Sequence, residues 1–257
     1  MNKLEPTNAF SISRFFHLCK RSFVLNQRQW LMGLFASTGI LLVIWVVPTL
    51  FVLSESGVSR FETLLPTALI IFTLWGLLLT SDIFHELYTP STAFQSLSLP
   101  ATSTEKFLSA WFLTMLIFLI VTITVIFLIT LLFSLAALVI EGNFSEFFLY
   151  NPFDRLTLEF VLNYIFLNSL FLLGAIYFRK NNFLKTIAAF IAIIISLIII
   201  WTILVWVYLF LFEIDQFSFQ FSTIEPTNTF IDSLLRWILT TTALLLTYVS
   251  LKRQQVV

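Results

Sequence analysis

The sequence predicts an all-α membrane protein: six transmembrane helices preceded by an interfacial amphipathic helix. Composition is the first reason. Of 257 residues, 59% are hydrophobic and 11% charged, with a mean hydropathy of +0.97. A soluble domain carries about 25% charged residues. The second reason is spacing. The apolar residues gather into six stretches, each near the ~20 residues that cross a hydrocarbon core ~30 Å thick. The third is backbone chemistry. Polar groups in lipid must bond internally, so the stretches are helices, and the short alternating segments of a membrane barrel are absent. Residues 1–257 read as a single transmembrane domain.

Residues 10–28 form the first element. Ile12, Phe15, Phe16, Cys19 and Phe23 fall at helical spacing on one narrow face, with Arg14, His17 and Arg21 opposite. This is the pattern of a helix lying in the interface, aromatics in the acyl boundary and basic groups at anionic head groups. It suits a plain anchor for the first span or a collar around neighbouring helices. The spans follow at about 30–53, 64–83, 107–140, 158–178, 187–212 and 231–251. Pro48 and Pro66 lie inside the first two and are expected to kink them, which packed membrane helices tolerate. The third span is long. Thr102-Ser103-Thr104-Glu105 matches a helix-starting capping box. A helix from Ser103 to Ile140 would reach about 57 Å, so its inner end should protrude or bend.

The basic residues orient the chain. With the N-terminus inside, eleven of the fourteen Lys and Arg lie on the inner side; only Arg60, Arg155 and Arg236 lie outside. Four of the fourteen acids are inside and ten outside. Both termini are therefore expected in the cytoplasm. The first 29 residues are too charged for the apolar core of a signal peptide. Cys19 is the single cysteine, so no intrachain disulfide forms.

The loop from Phe84 to Lys106 is the longest on the inner side. Pro90 suits the first turn of a short helix, and Pro100 would stop one. Between them Ala93, Phe94 and Leu97 make a small apolar face. Such a knob fits a groove on a soluble partner, or it folds back on the span ends.

The stretch Leu97-Ser98-Leu99-Pro100-Ala101-Thr102-Ser103-Thr104-Glu105-Lys106-Phe107-Leu108 resembles the “LxLPAS…EKFL” wording of bacterial ABC-2-type permeases. In that family it follows the second span and leads into the third. The six-span layout, N-terminal interfacial helix and inner termini are similar too. The resemblance implies a permease subunit of an ATP-driven transporter, an exporter, working with a second copy of itself or a related permease. It also implies that the loop contacts a separate ATPase subunit, through Pro90, Ala93, Phe94, Leu97 and Leu99. Family loops here are often richer in Lys, whereas this one holds only Lys106.

No enzyme is expected in the chain itself. There is no G-x-x-x-x-G-K-[ST] motif, and the six glycines are scattered singly. ATP and Mg would be held by the partner subunit. No H-E-x-x-H or G-x-S-x-G set is present. His17, His85 and Cys19 do not converge as the three or four ligands that zinc needs. Membrane lipid is an expected partner and nucleic acid is not.

Ionisable and polar groups at membrane depth are the remaining candidates. Asp82 and Glu159 stand at span ends. Asp232 and Arg236 are four apart near the start of span six and can pair. Asn163 and Asn168 lie deeper in span four, placed to hydrogen-bond neighbouring helices or to meet a substrate. The outer segments are aromatic: Phe144, Phe147, Phe148, Tyr150 and Phe153, then Phe217, Phe219 and Phe221. They read as caps on the membrane or on other subunits. A non-transporting scaffold that recruits envelope or motility proteins is the alternative function.

Overall fold

The computed structural model describes residues 10–51, 57–87, 93–94, 99, 101–141, 150–178, 181–211 and 229–256. Every element of regular structure in them is helical. They are α1 (Ile12–Phe51), α2 (Gly57–Asp82), α3 (Ser103–Trp111), a π-helical segment (Phe112–Ile117), α4 (Phe118–Glu141), α5 (Arg155–Tyr177), α6 (Asn182–Leu211) and α7 (Thr229–Val256). A short 3-10 turn, His85–Leu87, follows α2. The π segment joins α3 and α4 into one rod, so six helices are long and apolar enough to cross a membrane. This is the make-up of a multi-pass membrane protein.

Burial follows the logic of lipid rather than water. Asn168, Thr80, Thr122, Thr157, Ser169 and Thr247 are fully buried, while dozens of Ile, Leu, Phe and Trp side chains lie exposed. In water the distribution would be reversed. In lipid, apolar side chains face the tails, and small or hydroxylated residues pack the helices together. Many of the serines and threonines bond back to their own helix, as Thr80 does to the Gly76 carbonyl at 2.8 Å and Thr247 to that of Ala243 at 2.7 Å.

The main core lies between α1, α2, α4 and α5 and is aromatic. Trp30, Trp75, Phe118 and Tyr164 form a chain, with ring centroids 6.2, 5.1 and 4.9 Å apart in that order. Two glycines let the helices close on it. A Cβ at Gly33 would overlap the Trp75 indole, and one at Gly76 would lie 2.6 Å from the Phe118 ring. A second cluster, Phe84, Ala110, Leu172, Ala175, Ile176 and Leu251, joins α3, α5 and α7. α6 is different. Asn182 and Thr186 in its first turns are buried, but beyond Phe190 every residue is exposed or half-exposed.

The helix expected at residues 10–28 is not set off from the first span. Its residues are the first half of α1, which runs unbroken for 40 residues, about 60 Å. The polar joint Gln27-Arg28-Gln29 resembles a membrane boundary, but glutamine and arginine are good helix formers, and nothing there stops the helix. α1 also continues through Pro48, and α2 through Pro66.

The long third span begins where the capping box places it. Thr102 is the N-cap: its hydroxyl accepts the Glu105 amide, and the Glu105 carboxylate accepts the Thr102 amide. The rod then runs to Glu141, interrupted only by the π segment.

Candidate functional site

The described segments expected on the inner side gather at one end of the bundle. Residues 11–29, 82–87 and 102–107 meet there, and Ser81 of α2 holds the start of α6. At their centre is Glu105, wholly buried. Its Oε2 accepts the Thr102 amide at 2.8 Å, and its Oε1 accepts the Ser11 amide at 2.7 Å. The Arg14 guanidinium lies 3.2 Å from Oε1. A buried carboxylate is costly unless it is paired and hydrogen-bonded; these three partners meet that need. One side chain thus ties the start of α3 to the start of α1.

A second pair lies at the other end of the same loop. Arg21 Nη1 is 3.0 Å from Glu86 Oε2. Glu86 precedes residues 88–102 and Glu105 follows them, so α1 holds the loop at both ends. Phe15 packs edge-on against Phe112, with centroids 5.6 Å apart.

The expected faces of residues 10–28 are therefore rearranged. Cys19 is buried and Phe15 half-buried, while Ile12, Phe16 and Phe23 are exposed. Arg14 and Arg21, expected to meet anionic head groups, instead meet protein carboxylates. The buried Glu105 demands a counter-charge, and α1 supplies it. His17 stays exposed.

Of the loop residues, Ala93 and Phe94 are helical, and Phe94 is 74% exposed. Leu99 is half-buried. Pro90 and Leu97 lie outside the described residues.

The chain matches no family model, no curated protein and no solved structure.

At membrane depth a second polar group sits against the π segment. A π turn takes in an extra residue and leaves carbonyls without their usual i+4 partners. The Thr114 carbonyl accepts the Tyr164 hydroxyl at 2.7 Å and the Asn168 amide at 3.4 Å. Asn168 Nδ2 also donates to Thr80 Oγ1 at 2.8 Å. The π segment and α5 thus meet at one carbonyl, and Asn168 carries the link on to α2. Asn168 Oδ1 has no hydrogen-bond partner among the described residues.

Asn163 faces the other way, its Oδ1 accepting Arg236 Nη1 of α7 at 2.7 Å. The Asp232 side chain lies outside the described residues. Glu159 pairs with Arg155 one turn back at 2.9 Å, fully on the surface. Near the opposite end Tyr150 is buried against the Thr157 hydroxyl at 2.7 Å; burial pushes its phenol above the ordinary range. Phe153 is exposed, and the other outer aromatics lie outside the described residues.

Sequence reasoning did not single out Tyr164, Thr80, Thr114 or the Arg21–Glu86 pair. Tyr164 could have been found, because it lies four residues before Asn168 and shares its helix face. Among the described residues, no three His, Cys, Asp or Glu side chains are grouped to hold a metal.

Proposed function

We propose that this chain is the membrane-spanning subunit of an ABC-2-type ATP-driven transporter, an exporter that works beside a second permease copy and takes its energy from separate ATPase subunits. The supporting observation is the double fastening of the 88–102 loop. Arg21–Glu86 and Arg14–Glu105 tie both loop ends to α1, and the far end continues as the rod that reaches the Thr114 carbonyl. A force applied to the loop would be delivered to α1 and α3, not absorbed in slack chain. The exposed Phe94 is the natural point of contact.

The test is purification of the tagged chain from its own membrane. A P-loop ATPase in stoichiometric amount is expected, with hydrolysis that depends on the chain. Phe94→Asp should leave the membrane level unchanged and weaken the partner more than a hundredfold. That is about 3 kcal/mol at 1.4 kcal/mol per tenfold, within the cost of an unpaired buried carboxylate. Recovery of envelope proteins without any ATPase would favour the scaffold function instead.

A further inference from the structure

Between α1, α2 and the first turn of α6 lies a cleft of about 720 Å³, within the size range of small-molecule sites. Its inner part is apolar, made by Gly33, Trp75 and Leu79. Its rim is polar, with Gln29, Asp82, Asn181 and Asn182.

Among the described residues Asp82 is the one ionisable side chain lining the cleft. Gln29 Nε2 donates to its Oδ2 at 2.6 Å, which fixes the carboxylate without neutralising it. Among the described residues Asp82 makes no ion pair, whereas Glu86 and Glu105 at the same bundle end each take an arginine. A carboxylate at the end of a span, in a half-dry setting and with no counter-charge among the described residues, is a functional candidate. It favours a cation and opposes an anion.

The cleft also opens sideways. Met32, Leu78 and Leu184 on its edges are at least half exposed, on an outer surface as apolar as the rest of the bundle. A ligand with a cationic head and apolar chains would fit both parts. Its head would sit at Asp82, and a chain would run along Leu78 and Met32 into the surrounding lipid. The positive end of the α6 dipole borders the same rim, so a phosphate beside the amine would not be repelled.

We infer that this cleft holds the ammonium headgroup of an aminolipid, with Asp82 as its counter-ion and the Met32–Leu78 edge as the exit for its acyl chain. The inference stands apart from transport, since it concerns the chain alone.

The test uses the full purified chain, extracted from bilayers of equal parts phosphatidylethanolamine and phosphatidylglycerol, with retained lipid measured by native mass spectrometry. Phosphatidylethanolamine is expected to be retained at least fivefold over phosphatidylglycerol. Dodecylamine should displace it, and dodecanol should not. Asp82→Asn should abolish the preference. Leu78→Trp, which narrows the cleft without touching the charge, should lower total retention, and it carries the test if Asp82→Asn fails to fold. Equal retention of the two lipids, equal displacement by amine and alcohol, or an undiminished preference in folded Asp82→Asn would each overturn the assignment.

Discussion

Arg14 and Arg21 stand seven residues apart on one side of α1 and reach carboxylates that flank the 88–102 loop, Glu105 after it and Glu86 before it. Seven residues are close to two helical turns, so a single face of α1 serves both. The two pairs differ in setting. Glu105 is fully enclosed, Glu86 is 19% exposed, and each arginine is about one-third exposed.

That difference makes the first prediction. Arg14→Ala should destabilise the protein by about 2–4 kcal/mol, between the values for exposed and buried pairs, because it leaves an enclosed carboxylate without its counter-charge. Arg21→Ala should cost about 1 kcal/mol or less. Adding Glu105→Gln to Arg14→Ala should recover part of the loss. Denaturant titration in mixed micelles measures all three; equal costs for the two arginines would contradict the enclosed setting of Glu105.

Tyr164→Phe should cost about 1 kcal/mol, the usual size of one interhelical hydrogen bond in a membrane. Asn168→Leu should cost a similar amount. The double variant should cost less than the sum, since both side chains serve the Thr114 carbonyl and lose a shared partner. Strict additivity in the same titration would show that the carbonyl does not couple them.

Gly76→Ala should destabilise by about 1–3 kcal/mol through overpacking, because its methyl would meet the Phe118 ring at 2.6 Å. Phe118→Leu in the same chain should restore part of that loss. A Gly76→Ala protein with an unchanged melting temperature would mean that α2 and α4 do not approach this closely.

Topology is open to cysteine labelling. Cys19 is buried, so a Cys19→Ser background gives little interference. In it, Phe94→Cys should react with an impermeant maleimide only after the cells are opened, and Gly142→Cys should react in intact cells. The reverse pattern would overturn the orientation drawn from the basic residues.

The spans were legible because lipid imposes a simple length rule, and the start of α3 was legible because a capping box is local chemistry. The unbroken α1 was not. Gln27, Arg28 and Gln29 look like a polar boundary, yet a helix ignores polarity where no residue stops it. Glu105 was visible only as a cap. Its burial depends on Ser11 and Arg14, far away in sequence, and no local pattern reports such a meeting. Asn163 and Asn168 were legible as polar groups within a span. Their separation of five residues puts them on different faces, which agrees with one reaching α7 and the other α2.

The π segment has a consequence for phase. Along the rod, one line of buried positions runs through Glu105, Ser109 and Leu113 and then, after a step of five, through Phe118, Thr122, Ile126 and Thr130, with Ala110, Thr114 and Leu119 buried beside it. Each residue of a regular helix turns the chain by about 100°. The longer step keeps one stripe aligned from end to end only because the π turns absorb the additional residue. Deleting a single residue between Phe112 and Ile117 would leave an even step of four across the segment, so a regular α-helix would carry the same stripe. The surplus residue therefore serves the middle of the rod rather than its ends: without it the ends stay in phase, and the π segment whose Thr114 carbonyl meets Tyr164 and Asn168 is lost.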